Sequence, residues 1–533
     1  MALHWLQHDV ESPCPVCQVT GAKRAVLSTD HVVPGQPPIT LLRCPGCGTA
    51  FLQELTPPDY EMDVAGMLDY YVEQGAGIDL LVAPLLRLPA GTIRRCLEIG
   101  CSAGFALDFS RFAFGWEVLG VDPSPLATAG AEALGFPVRR SYFSTDLDLG
   151  PGLFDLVICS EVLEHIAAPH DLLAAIRERL APAGILVLST PNLALVRPDA
   201  GREALYRALS PGFHMVLYSR EALVHILRNA GFAAVHVEES AETLRVFAAR
   251  SPGALAGLRP ADPDAARDLL RDYFAARTAS AAPGSALACG FAYRHFKETV
   301  NAGLYREAEA SRSRLAEVYR SRFGLDFGLV SEIPGLESGA GVPFNLTGAL
   351  FFSGILELNG LGRPGQAAAH FAASAAAARR LQGHQNPHGL HDGETADLAA
   401  QSRKHLPMAL AATEPDQAVC AIEALERDMI AEDLPATLLA AARAQTFIRL
   451  VNAGACAAAE RLAPQISRQP EDGRAEALDA LYCLAMLALH GGRPGEAADL
   501  FARVQQLAGE RADLLLSARF HEELSRRQAE SRS

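Results

Sequence analysis

Apolar and polar positions change rhythm several times along this chain. Between Leu97 and Asn192, short apolar runs alternate with stretches of helical period: Leu97-Glu98-Ile99, Trp116 to Val121, Phe154 to Cys159 and Ile185 to Leu188. Short apolar runs bounded by turns and separated by helical segments predict parallel strands buried on both faces, joined by crossover helices. The expectation is a doubly wound α/β sheet. Further on, His214, Tyr218 and Ser219 precede an amphipathic stretch, Glu221 to Asn229, which ends in Ala230-Gly231-Phe232 and a last pair of strands.

Past about residue 250 the texture shifts. Ser251-Pro252-Gly253 and the small residues from Ala279 to Gly284 suggest a linker, and the remainder, rich in Ala, Leu, Arg and Glu, reads as helical. A weak repeat runs through it. Gly303-Leu304-Tyr305-Arg306-Glu307-Ala308, Gly362-Arg363-Pro364-Gly365-Gln366-Ala367 and Gly492-Arg493-Pro494-Gly495-Glu496-Ala497 each follow one helical run and start another, with a fainter copy at Gly454. Gly454 and Gly492 are 38 residues apart, near the period of helix-hairpin repeats, and Leu478 to Ala508 looks like a tetratricopeptide unit. Such arrays bind protein partners or self-associate, and a packed helical appendage weighs equally.

The turns carry the chemistry. After the first strand, Gly100-Cys101-Ser102-Ala103-Gly104 offers a glycine at each end, where a backbone can approach a ligand without a Cβ in the way. The second strand stops at Asp122, 18 residues after Gly104, where a carboxylate can accept both hydroxyls of a ribose. Two glycines four apart are not the G-x-G-x-x-G fingerprint of dinucleotide sites, which disfavours NAD.

This segment resembles the class I S-adenosylmethionine-dependent methyltransferases, whose first motif is an acid followed by spaced glycines. Ser160-Glu161-Val162-Leu163-Glu164-His165-Ile166 is similar to the same family's sequence after the fourth strand. The resemblance implies a mostly parallel, Rossmann-like sheet of seven strands. It also implies that Glu98, Gly100, Cys101 and Gly104 line the methionine end of the cofactor, that Asp122 holds the ribose, and that Ser141 stands where an acid often meets the adenine. Glu161 borders cofactor and substrate. His165 and His214, where the family often carries histidine, are the candidate general bases, with anchoring of the backbone as the alternative role.

Four of the eleven cysteines form two C-x-x-C knuckles, Cys14/Cys17 and Cys44/Cys47. That spacing predicts one tetrahedral Zn²⁺, structural because four sulfurs leave no place for water. Two disulfides, or a redox motif, are the competing readings. A ribbon of this kind ahead of the methyltransferase turn resembles a subset of bacterial methyltransferases that act on sugars. The remaining cysteines, Cys420 and Cys456 among them, lie mostly in apolar stretches and are expected to be buried.

Composition narrows the class. The chain has 533 residues, 49% of them hydrophobic and 20% charged, enough for about three domains. The expected division is a zinc ribbon over 1–60, a methyltransferase domain over 61–250, a linker over 251–290 and a helical domain over 291–533. A formal net charge of −15 without a dense basic run disfavours nucleic acid, and no apolar run is long enough for a membrane span. A cytoplasmic enzyme is expected, transferring methyl to oxygen or carbon of a small acceptor such as a sugar. The alternative is a scaffold with a vestigial nucleoside site that binds protein partners through its helices.

Overall fold

Side-chain alternation on the central strands decides how the first part of the chain packs. The strands among the described residues are β1 (Leu3–Pro13), β2 (Thr20–Thr29), β3 (Ile39–Arg43), β4 (Ala50–Leu52), β5 (Arg95–Ile99), β6 (Glu117–Val121), β7 (Val138–Arg139), β8 (Phe154–Ser160), β9 (Leu180–Pro191), β10 (Val216–Leu217), β11 (Ala234–Glu239) and β12 (Thr243–Ala249). One sheet has seven strands in the order β11-β12-β9-β8-β5-β6-β7. Its β5 to β9 run parallel, while β12 is antiparallel to both β9 and β11. Chain order reverses between β5 and β8, and ligands bind beyond the carboxyl ends of strands at such a switch point.

The computed structural model describes residues 3–31, 33, 35–60, 67–74, 78–89, 91–326, 342–385, 393–432, 434–466, 475–509 and 511–532. It divides into two units, Met1–Phe291 and Ala292–Ser533. In the first, helices are α1 (Met67–Gln74), α2 (Ile78–Val82), α3 (Phe105–Phe114), α4 (Pro125–Leu134), α5 (Pro169–Arg179), α6 (Arg202–Leu209), α7 (Arg220–Asn229) and α8 (Pro263–Ser280). Leu156, Ile158, Ile185 and Val187 share one core with Phe109 of α3, Ala127 of α4 and Phe274 of α8. Their neighbours Val157, Cys159, Leu186 and Leu188 join a second core with Leu173 of α5 and Leu223 of α7. Period-two alternation with both faces apolar is why these strands read as unbroken hydrophobic runs.

That second core also contains Leu27, Leu41, Leu42 and Phe51 from the amino-terminal strands. They form a five-stranded sheet, β1-β2-β3-β4-β10, whose last strand comes from far along the chain. Phe51 faces Val216 and Ala50 faces Leu217 across antiparallel β4 and β10. The ribbon expected over 1–60 has too few apolar residues for a core of its own, and its strands obtain one by merging with the larger unit.

The linker expected over 251–290 is corrected. It contains α8, capped by the Asp262 side chain accepting from the Ala265 N–H, and the start of α9 (Ala286–Asn301). Small residues at both ends of this stretch imitate linker composition, while Tyr273 and Phe274 in its middle are fully buried.

The second unit is helical throughout its described residues: α10 (Tyr305–Phe323), α11 (Leu346–Ile355), α12 (Pro364–Gln385), α13 (Gly393–Leu410), α14 (Pro415–Glu432), α15 (Ala436–Asn452), α16 (Cys456–Ile466), α17 (Ala475–His490), α18 (Pro494–Leu507) and α19 (Ala512–Arg532). The repeated glycines mark equivalent turns. Gly303, Gly454 and Gly492 all have φ between +70° and +75°. In each, the glycine N–H reaches the carbonyl three residues back (Val300, Val451, Leu489), and the next N–H reaches the carbonyl five back (Thr299, Leu450, Ala488). Gly362, at φ +64°, follows a π-helical turn, Leu356–Gly360, and departs from that pattern. Cys420 and Cys456 are exposed, against expectation, because each falls on the outer side of its helix. Among the described residues no helix is long and apolar enough to cross a membrane.

Candidate active site

The glycine turn joins β5 to α3, and its backbone leaves the ordinary regions at three of five residues: Gly100 (φ +71°), Ser102 (+47°) and Gly104 (+76°). At Gly104 a Cβ would lie 2.0 Å from the Phe136 ring, so that position admits nothing larger. Ser102 tolerates its left-handed φ because its N–H is held by Asp122 Oδ2 at 2.8 Å. The other oxygen, Oδ1, accepts from the Ser124 N–H at 2.8 Å. One carboxylate at the end of β6 therefore fastens two turns, and each oxygen keeps a lone pair for a further donor.

Glu98, on β5 just before the turn, is 2% exposed and its Oε2 has no hydrogen-bond partner among the described residues. Burial, with the Asp122 charge adding to it, holds its carboxyl well above the ordinary carboxylate pKa. A buried acceptor without a donor marks a place for a polar ligand group. Cys101 is buried, and desolvation lifts its thiol well above the ordinary range, so it is no nucleophile. Ser141 follows β7; its N–H donates to the Asp122 carbonyl at 3.1 Å, and its hydroxyl donates to the Tyr142 carbonyl at 3.1 Å. Glu161 stands exposed after β8 at φ +54°, accepting from Ser189 Oγ at 2.7 Å. Non-glycine residues held at positive φ on both sides of the switch point are the kind of local strain that functional sites keep.

The sequence separates His165 from His214 by a strand and two helices, and the fold brings their rings to 4.8 Å, edge to face. Burial lowers both, His165 to a pKa of about 3 and His214 to about 4, so each imidazole is neutral around pH 7. His214 Nδ1 sits 2.8 Å from the Ala208 carbonyl, an acceptor only, so Nδ1 carries the proton and Nε2 the lone pair. His165 donates to the Phe213 backbone, and its Nδ1 lies 2.6 Å from the Tyr60 hydroxyl. A neutral imidazole has one N–H, so here the phenol donates. Beside them Glu164 is fully buried, its carboxyl held well above the ordinary carboxylate pKa by desolvation first and by neighbouring Glu161 second; its Oε2 accepts from Thr190 Oγ1 at 3.0 Å.

Sequence reasoning missed Tyr60, which lies at the far edge of the ribbon with no motif around it, and passed over Glu164. Only spacing could have flagged Glu164, since it directly precedes His165.

The two knuckles also converge. Cys14 Sγ lies 3.6 Å from Cys47 Sγ, Cys17 Sγ lies 3.7 Å from Cys44 Sγ, and all four sulfurs are within 4.8 Å of one another. A disulfide needs about 2.0 Å. Sulfurs at the corners of a tetrahedron with metal–sulfur bonds of about 2.3 Å lie about 3.8 Å apart, so the donor set fits Zn²⁺. His170 on α5 bonds the Val16 carbonyl inside the first knuckle at 2.7 Å, tying it to the larger unit.

A methyltransferase-domain family matches residues 72–237 of the chain. A ubiquinone biosynthesis O-methyltransferase from Cereibacter sphaeroides is 35% identical over 176 residues, 31% of this chain and 69% of the relative. Its counterpart from Roseobacter denitrificans is 32% identical over 26% of this chain and 59% of its own length. Among solved structures, a SAM-dependent methyltransferase from Archaeoglobus fulgidus is 18% identical, covers 35% of this chain and 99% of its own, and has a TM-score of 0.29.

Proposed function

This chain belongs to the class I S-adenosylmethionine-dependent methyltransferases, and we propose that it methylates a hydroxyl of a small-molecule acceptor at the carboxyl edge of its seven-stranded sheet. The observation that carries the reading is Asp122 bound to the Ser102 N–H at 2.8 Å, which shapes a nucleoside cradle before any ligand arrives. Oxygen as the nucleophile rests on the relatives, which are named as O-methyltransferases of ubiquinone biosynthesis. The sugar acceptor expected from the ribbon gains no support from them.

S-adenosylmethionine, when bound, supplies a methyl group that is already activated. The residues of the chain do the rest. The remaining lone pairs of Asp122 take the ribose hydroxyls, Glu98 offers its unpartnered oxygen to a donor at the methionine end, and the N–H groups at the start of α3 face the carboxylate. His214 Nε2 receives the proton of the acceptor hydroxyl, with His165 and Tyr60 fixing the ring against it. The roles of Gly100, Gly104, Cys101 and Glu161 as cofactor neighbours, and of Ser141 beside the adenine, belong to the same proposal.

The four cysteines hold one structural Zn²⁺, supported by their sulfur spacing. The second unit is a degenerate tetratricopeptide-like array that offers a protein-binding or self-association surface, supported by three equivalent turns. Titration calorimetry with S-adenosylmethionine tests the reading first. Binding in the micromolar range, lost on changing Asp122, is expected; absence of binding by the intact protein overturns it.

A further inference from the structure

A groove of about 360 Å³ lies on the outer face of the ribbon sheet, walled by Leu193, Val196, Arg197 and Pro198 from the loop just after β9. Its other lining side chains include Trp5, Arg24, Val26 and Arg43. Neither the zinc knuckles nor the methyl-transfer residues take part in it.

Its charge arrangement is unusual. Arg24 on β2 and Arg43 on β3 are directly opposite each other in the antiparallel ladder, both exposed. Like charges at opposed positions destabilise a sheet, and local violations of this kind are expected at functional sites. Neither guanidinium has an ion-pair partner within 4 Å among the described residues, although Asp9 stands across from Arg24 on β1. Arg197 adds a third cation, shared with Asp199 at 3.3 Å. Three arginines around one concavity also run against a chain of net charge −15. Apart from Gln7 the wall between them is apolar, and Trp5 remains 39% exposed.

A ligand that satisfies both parts has an anionic head rich in oxygens and a flat or apolar body. Paired guanidinium forks match the several oxygens of a phosphate better than the two of a carboxylate. We propose that this groove binds the phosphate-bearing end of the methyl acceptor, with Trp5 against its body. The loop that walls the groove continues directly from Asn192 at the carboxyl end of β9, the edge where the methyl transfer is placed. Calling the ligand the acceptor rests on the proposed function; the phosphate site itself does not.

The test uses the full-length protein and phenyl phosphate as probe, with inorganic phosphate, phenol and benzoate as its parts and its carboxylate counterpart. Calorimetry should show phenyl phosphate binding more tightly than any of the three. Arg24→Gln with Arg43→Gln should weaken it at least tenfold, and Trp5→Ala should weaken phenyl phosphate while leaving inorganic phosphate unchanged. Without ligand, the double arginine variant should melt no lower than the wild type, because a repulsion has been removed. Affinity for S-adenosylmethionine should stay the same in all three proteins. Equal binding of benzoate, or phosphate binding indifferent to the arginines, overturns the proposal. Retained phosphate binding with no methylation of any phosphorylated acceptor keeps the site and removes its link to the reaction.

Discussion

Asp108 and Arg277 form a forked ion pair inside the first unit: the guanidinium Nε donates to Oδ2 and Nη2 to Oδ1, each at 2.7 Å. Tyr273 Oη adds a third bond at 2.8 Å and Arg111 a fourth at 3.3 Å, so the fully buried carboxylate has every lone pair engaged. The pair pins α8 onto α3, the helix that opens at the glycine turn. Removing one partner of a fully buried pair costs about 3–5 kcal/mol, and Arg277, a quarter exposed, places the loss of Asp108 at the lower end. Asp108→Ala should therefore lower the melting temperature on the order of 10 °C. A melting curve unmoved by the change would show that α8 is held elsewhere.

Asp122→Ala removes the acceptor for the Ser102 and Ser124 N–H groups as well as the proposed ribose contact. Affinity for S-adenosylmethionine should fall by at least tenfold, with a smaller loss in Asp122→Asn, which keeps one oxygen. Calorimetry checks the order of the three proteins; equal affinities would place the ribose elsewhere.

Metal analysis of the purified chain should give one zinc per molecule. Cys44→Ser should lose it and melt earlier. The loss should reach the whole first unit, since Cys14 and Cys44 belong to the same core as Leu173, Val216 and Leu223. A chain that folds identically without zinc would refute this.

His214→Gln removes the lone pair proposed to receive the acceptor proton, and turnover should fall by about 10²-fold or more while cofactor affinity holds. Tyr60→Phe should cost less, since it loosens His165 without removing the base. If both variants turn over normally, the histidine pair is an anchor only.

Glu98→Gln should alter how stability depends on pH. The folded state raises the Glu98 carboxyl above its ordinary value of 4.5, through burial first and Asp122 second. Its contribution is therefore complete below about pH 4.5 and is lost as pH rises toward the folded-state pKa. The melting temperature of the glutamine variant should gain on that of the wild type as pH increases from 4.5 to 8. A constant difference would mean that the burial cost is absent.

Much of this was legible in the chain because it is local. Short apolar runs marked β5, β6, β8 and β9, the spaced glycines marked the turn that Asp122 fastens, and C-x-x-C spacing marked the four thiols that converge. Local turn chemistry likewise fixed the equivalent bends at Gly303, Gly454 and Gly492.

Other features depend on contacts between residues far apart in the sequence, and no local pattern encodes them. The ribbon has no core of its own until β10 closes its sheet, and the residues taken for a linker become α8 because Asp108 and the core around Phe274 draw them in. Tyr60 meets His165, 105 positions away, and His165 meets His214 only after the chain has folded back. Tertiary packing supplies the burial that raises the Glu98 and Glu164 carboxyls and lowers both histidines. Sequence named the candidate groups, and only the folded environment could shift their ionisation.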